Sequence, residues 1–124
     1  NKIDCSLANY GNCIGSTTAE GIYPDGASPY GVFDMAGNVW VWAVDWYDPE
    51  YYESTSSGVE NPQGPDTGEY RIIRGGSFLD VFDARYNRCT YRGWAVQYAH
   101  TDDVGFRCVF SGNPELDISG QGDV

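Results

Sequence analysis

The chain is short of the side chains that carry most catalysis and most nucleic-acid binding. It has one histidine, His100, one methionine, and seven Lys and Arg against eighteen Asp and Glu, for a formal net charge of -11. That balance argues against nucleic acid and against anionic membrane surfaces as partners. No run is apolar and long enough to insert into a membrane, and no signal peptide is visible. The four cysteines form no C-x-x-C pair, and one imidazole cannot make up the difference, which argues against a zinc site. A single histidine also leaves Ser77 without an obvious base, so a hydrolytic triad is not expected.

What the chain has is glycine, at 16 residues, with 10 tyrosines and 4 tryptophans in a length of 124. That mixture suits one loop-rich domain with aromatic anchors rather than a helical bundle. Six of the seven basic residues are arginines between Arg71 and Arg107, whereas residues 45–69 are strongly acidic. The two regions either attract one another within the fold or the acidic one is a solvated loop. Cys5, Cys13, Cys89 and Cys108 read as two disulfides, hence an oxidising, extracellular or periplasmic setting; four free buried thiols are the alternative.

Residues 1–30 are turn-rich, punctuated by Tyr10-Gly11-Asn12, Asp25-Gly26 and Ser28-Pro29. Alternation predicts a strand over 38–46; residues 70–78, 86–92 and 104–110 also read as strands, and residues 48–69, with three prolines, as a surface loop. The domain is expected to occupy residues 1–110, and residues 111–124 read as a loose polar tail.

Four segments, SPYGVFDMAGNVWVWAVDWY, NPQGP, YRIIRGGSF and VGFRC, occur in this order. Together they resemble the formylglycine-generating enzyme, or sulfatase-modifying factor, family. The resemblance implies an α+β fold that is mostly irregular with short antiparallel strands, a variant of the C-type lectin fold. It also implies that an upstream third of the family domain precedes Asn1. That segment, or another copy of the chain, then becomes a candidate partner.

The resemblance further marks Asp34 as a side-chain oxygen ligand for calcium, with backbone carbonyls from Gly37 and Val39. The acid that completes the family site falls at Val41, which has no ligating oxygen. Calcium takes six to eight oxygens, so weak calcium binding is the expectation, with Asp34 merely bonding turn amides as the alternative. Asn9 falls at a second calcium position, where a Cys5 to Cys13 disulfide would pin the loop in place of metal. In the family, the positions of Cys89 and Cys108 pair with upstream cysteines; here a Cys89–Cys108 pair is one candidate, and the sequence does not choose among the three connectivities that four cysteines allow.

The family's oxidases use two cysteines with copper, shortly after the Arg-Gly-Gly-Ser segment. Residues 78–87 of this chain, FLDVFDARYN, contain no cysteine. Carboxylates are too hard to replace thiolates on Cu(I), so no copper is expected. This stretch mixes aromatics and acids without periodicity, as does WAVQYAHTDD at 94–103, and binding loops have that character. Both are similar to the variable region of diversity-generating retroelement proteins. Residues 78–87 contain no Lys, Glu, Gln, Met or Trp, the types that adenine-directed mutagenesis of Asn-type codons does not yield.

The leading expectation is therefore a non-catalytic module that binds a protein or a small polar ligand. Its contacts are expected from Phe78, Leu79, Asp80, Val81, Phe82, Asp83, Trp94, Tyr98 and His100. The alternatives are a family enzyme with altered oxidative chemistry, and a structural or assembly domain of a surface or filament protein.

Overall fold

The computed structural model describes residues 3–54, 60–80 and 84–109. Its centre is β1, Trp40–Trp46, a run of aromatic and β-branched residues that fits a pleated, half-buried position. β2, Tyr70–Arg74, lies antiparallel to it with Trp42 opposite Ile73. β3, Gly93–Val96, lies antiparallel to β2 with Trp94 opposite Ile72. β4, Val104–Gly105, takes the other edge, giving the order β3-β2-β1-β4. The only α-helical segment among the described residues is one turn, α1, Tyr51–Ser54, inside the acidic loop.

Two expectations need correction. The sheet is mixed: β4 runs parallel to β1, and the Trp40 N–H donates to the Asp103 carbonyl at 2.7 Å. The strand expected over 86–92 is instead a 3-10 turn, Ala84–Asn87, followed by further turns, and the strand begins at Gly93. The cause is local. Arg88 N–H bonds back to Arg85 and Tyr91 N–H to Arg88, while the Arg74 guanidinium takes the carbonyls of Cys89 and Tyr91 at 2.8 and 2.9 Å. Those carbonyls are therefore not available to a strand partner.

The core is small. Trp40, Ile72, Ile73 and Phe78 are buried from the sheet and the turn after it, joined by Ala8 and Tyr23 from the first segment. The rings of Tyr86 and Tyr91 pack on Trp40 with centroids 6.0 and 5.9 Å away. Each such large side chain contributes roughly 1.5–3 kcal/mol when fully buried.

The Gly-Asn turn before β1 fastens the turn-rich first segment to the sheet. At Gly37, φ is +78° and an added Cβ would stand 2.4 Å from the Asn9 carbonyl, so only glycine fits. Asn38 then donates its N–H to that carbonyl at 2.7 Å, and its side-chain oxygen accepts the Thr18 N–H at 2.9 Å. Asn9 is 1% exposed and donates its amide to the Ser16 carbonyl at 2.7 Å. The Cys5–Cys13 disulfide closes the loop on the other side of Asn9, as expected. A closure of this length stabilises by about 2–3 kcal/mol.

Candidate functional site

The clearest exposed constellation lies at the β3 edge. Trp94 pairs with Ile72, which turns its indole to the same face as Tyr70 and Val96. There it stacks on Tyr47, with centroids 4.9 Å apart and planes 24° from parallel. Tyr47 is held by its N–H to the Tyr70 carbonyl at 2.8 Å. The Arg92 guanidinium lies 5.7 Å from the Tyr47 ring and 4.1 Å from that of Tyr52 on α1. Trp94 keeps 51% of its surface open and Tyr98, just beyond the strand, 75%. Two rings and a guanidinium, preorganised by stacking, offer a flat amphipathic contact surface at low entropic cost.

The turn after β2 approaches a different part of the 94–103 segment. Gly76, with φ of +74°, bends the chain so that Ser77 becomes fully buried. Ser77 Oγ donates to Asp103 Oδ2 at 3.2 Å, and the Ser77 N–H donates to Asp80 Oδ2. Phe78 is buried, 7% exposed, and its N–H bonds the Asn38 carbonyl, so it serves the core rather than the surface. Leu79 is half exposed. Burial pushes the Asp80 carboxyl above its ordinary range; the Ser77 hydrogen bonds oppose this and the Asp103 charge adds to it. His100 is exposed, with Nδ1 3.1 Å from the Tyr98 carbonyl. Val81, Phe82 and Asp83 lie outside the described residues. The turn at 77–80 thus meets 101–103, while Trp94 meets Tyr47.

Asp34, Gly37, Val39 and Val41 line one groove, so the positions marked for calcium are neighbours. Their donor set suits calcium poorly. Asp34 is the one carboxylate of the four, and its Oδ2 already accepts the Gly21 N–H at 2.8 Å. That bond spans 13 residues, rather than closing on the amides of its own turn. Val41 presents methyl groups where an oxygen is wanted. Among the described residues no three His, Cys, Asp or Glu side chains converge in a way that could hold a metal ion.

The expected pairing of Cys89 with Cys108 is corrected: both are free and exposed. Cys89 sits by the end of β2, where its carbonyl meets Arg74, and Cys108 follows β4 beyond β1. Neighbouring strands are about 4.8 Å apart, and a disulfide needs Cα atoms within about 7 Å.

Tyr47, Tyr52, Arg92 and Asp103 belong to these arrangements but were not singled out in the sequence. The signal for Tyr47 was present as an aromatic run, Trp46-Tyr47, at the end of a predicted strand. The arginines surrounding the acidic region face rings and carbonyls: Arg71 lies 3.5 Å over Trp46 and donates to the Val44 carbonyl, and Arg107 donates to the Phe33 carbonyl at 2.8 Å.

Comparison with known proteins agrees with this geometry. The family model of the sulfatase-modifying factor enzyme 1-like domain matches residues 6–111, and the chain belongs to that family. It is 40% identical over 107 residues to a serine/threonine-protein kinase, pkn1, of Chlamydia pneumoniae, covering 86% of this chain and 16% of the kinase. It is 41% identical over 81 residues to the formylglycine-generating enzyme of Streptomyces coelicolor, covering 64% of this chain and 25% of that enzyme. The inactive C-alpha-formylglycine-generating enzyme 2 of Mus musculus is 33% identical over 106 residues, covering 79% of this chain and 29% of that protein. Among solved structures, Treponema denticola variable protein 1 superposes with a TM-score of 0.65 at 28% identity, over 82% of this chain and 34% of that one. The chain thus spans between about a sixth and a third of the length of these relatives.

Proposed function

We propose that this member of the sulfatase-modifying factor family is a non-catalytic binding module that takes a protein or small polar ligand on the Trp94 platform. The observation that carries the reading is the half-open Trp94 indole stacked on Tyr47, whose ring the Arg92 guanidinium also approaches, with the exposed Tyr98 following in the chain. A ring held open at a cost in solvation, with its orientation already fixed, is the kind of anchor that dominates recognition surfaces. The formal net charge of -11 favours a polar or basic partner over an acidic one. The cysteine-free stretch at 78–87 supports a chemistry-free role, because thiolate copper chemistry has no ligands there. The inactive relative supports the same reading. So does the kinase, in which the similar segment is 16% of the length. The Cys5–Cys13 disulfide favours an oxidising compartment, extracellular or periplasmic.

The test is to probe peptide and glycan arrays with the parent chain and with a Trp94→Ala/Tyr98→Ala double variant. The reading expects discrete positives for the parent that vanish in the variant while its melting curve stays in place. Positives retained by the variant would move the site elsewhere.

A further inference from the structure

A second surface lies on the opposite edge of the sheet. β4 ends at Gly105, and among the described residues the backbone of 106–109 makes no hydrogen bond. This open edge is apolar as well as unpaired: Phe106 is 80% exposed and Val109 85%. Residues 105–108 of this edge line a groove of about 990 Å³ together with Val32, Phe33, Val39 and Val41. Arg107 donates to the Phe33 and Asp34 carbonyls. Two carboxylates, Glu20 and Asp34, stand at the lining.

We infer that this groove takes an extended polypeptide strand with apolar residues at alternate positions and a basic residue beside them. The backbone determines the class of partner. A row of unpaired N–H and C=O groups is matched by another strand and by little else, which is how β-strand addition works. Alternation determines the pattern, because every second side chain of an added strand points the same way, and one such row matches a lining that is apolar at Val32, Phe33, Val39 and Val41. Charge determines the flank: Glu20 and Asp34 outnumber Arg107, whose guanidinium is already held by carbonyls, and the whole chain carries -11. The need is visible in the apolar balance. Among the described residues thirteen large apolar side chains are exposed while six apolar ones are buried, an excess that marks interaction surface. This surface is independent of the Trp94 platform, which sits on β3 at the far edge.

The free thiols supply the readout. Cys108 lines the groove and Cys89 lies away from it, and both are exposed. The probe is a pool of heptapeptides with valine or isoleucine alternating with threonine and a lysine at each end; a glutamate-ended pool is the control. Binding is followed by fluorescence anisotropy and by the alkylation rate of each thiol. The expected result is saturable binding of the lysine-ended pool, with Cys108 alkylated about tenfold more slowly and Cys89 unchanged. Phe106→Pro, which removes an edge donor, and Phe106→Lys, which keeps the donor but adds like charge, should both lose binding and protection. Neither changes a buried side chain, since Phe106 is 80% exposed, and a circular-dichroism melt reports whether each variant is folded. Failure of the lysine-ended pool to bind, equal binding of the two pools, or retention in both Phe106 variants would overturn the inference. So would slow alkylation of Cys108 in the dilute free chain, which would mean the edge is already covered. Protection that rises with protein concentration alongside a dimer mass would assign the groove to a second copy instead.

Discussion

Trp94 rests on Tyr47 with ring centroids 4.9 Å apart, and half of the indole still faces solvent. Phe78, which read as its companion in a binding surface, is 7% exposed and packs inside. The two aromatics should therefore respond oppositely to truncation. Phe78→Ala is expected to cost about 3–5 kcal/mol, through lost transfer energy and a residual cavity. Trp94→Ala is expected to cost about 1 kcal/mol, chiefly the ring pair. Urea unfolding monitored by circular dichroism separates them: similar midpoints for the two variants would show that Trp94 is core.

Asp80 makes stability depend on pH in an unusual direction. Its folded-state pKa is raised, mainly by burial, so the folded chain holds this proton to higher pH than the unfolded chain does. Stability contributed by this group is present below the unfolded carboxylate value and declines as pH rises through the folded value. Asp80→Asn keeps an oxygen for the Ser77 N–H and removes the charge facing Asp103. The variant should gain stability relative to the parent at pH 7 and lose that advantage under acid conditions. Melting curves from pH 3 to 7 test this; an advantage that grows toward acid would contradict it.

Calcium binding turns on Val41. With Asp34 as the one carboxylate of the marked set, the parent is expected to bind calcium weakly, and Val41→Glu is expected to bind more tightly by supplying both oxygen and charge. Trp40 and Trp42 flank this position, so tryptophan fluorescence during a calcium titration reports it. A variant no better than the parent would show that these residues do not form the site. A melt without calcium identifies simple destabilisation by the new charge.

The sequence made the sheet legible where side-chain chemistry and backbone need coincided. NVWVWAVDW and YRIIR are apolar and β-branched, and both became strands, β1 and β2. Gly37-Asn38 read as a turn for the reason it is one. The 86–92 segment misled because its aromatic and β-branched residues suit a strand, but two of its carbonyls go to the Arg74 guanidinium, a long-range side-chain contact that no local pattern encodes. The Trp94 site was half visible for the same reason. Trp94 and Tyr98 stood out among small and acidic residues, but Tyr47 joins them only through the register that sets β3 beside β2. Cys89 and Cys108 could be paired on paper only while the strand order was unknown.

Aldehyde chemistry offers a check on the non-catalytic reading. Incubated with copper, oxygen and a sulfatase-type cysteine peptide, the chain should yield no formylglycine above the protein-free blank. Thiolates are needed to hold Cu(I), and residues 78–87 have none. Mass spectrometry of the peptide decides, and aldehyde at a rate typical of the family's oxidases would refute the claim.

The most direct test is the dissociation constant of the strongest array ligand, measured by titration calorimetry for the parent, Trp94→Ala and Trp94→Phe. If the ligand sits on the Trp94 platform, alanine should weaken binding by about tenfold or more and phenylalanine should restore most of it, since stacking area is what each retains or loses. Equal affinity in all three proteins would contradict the account.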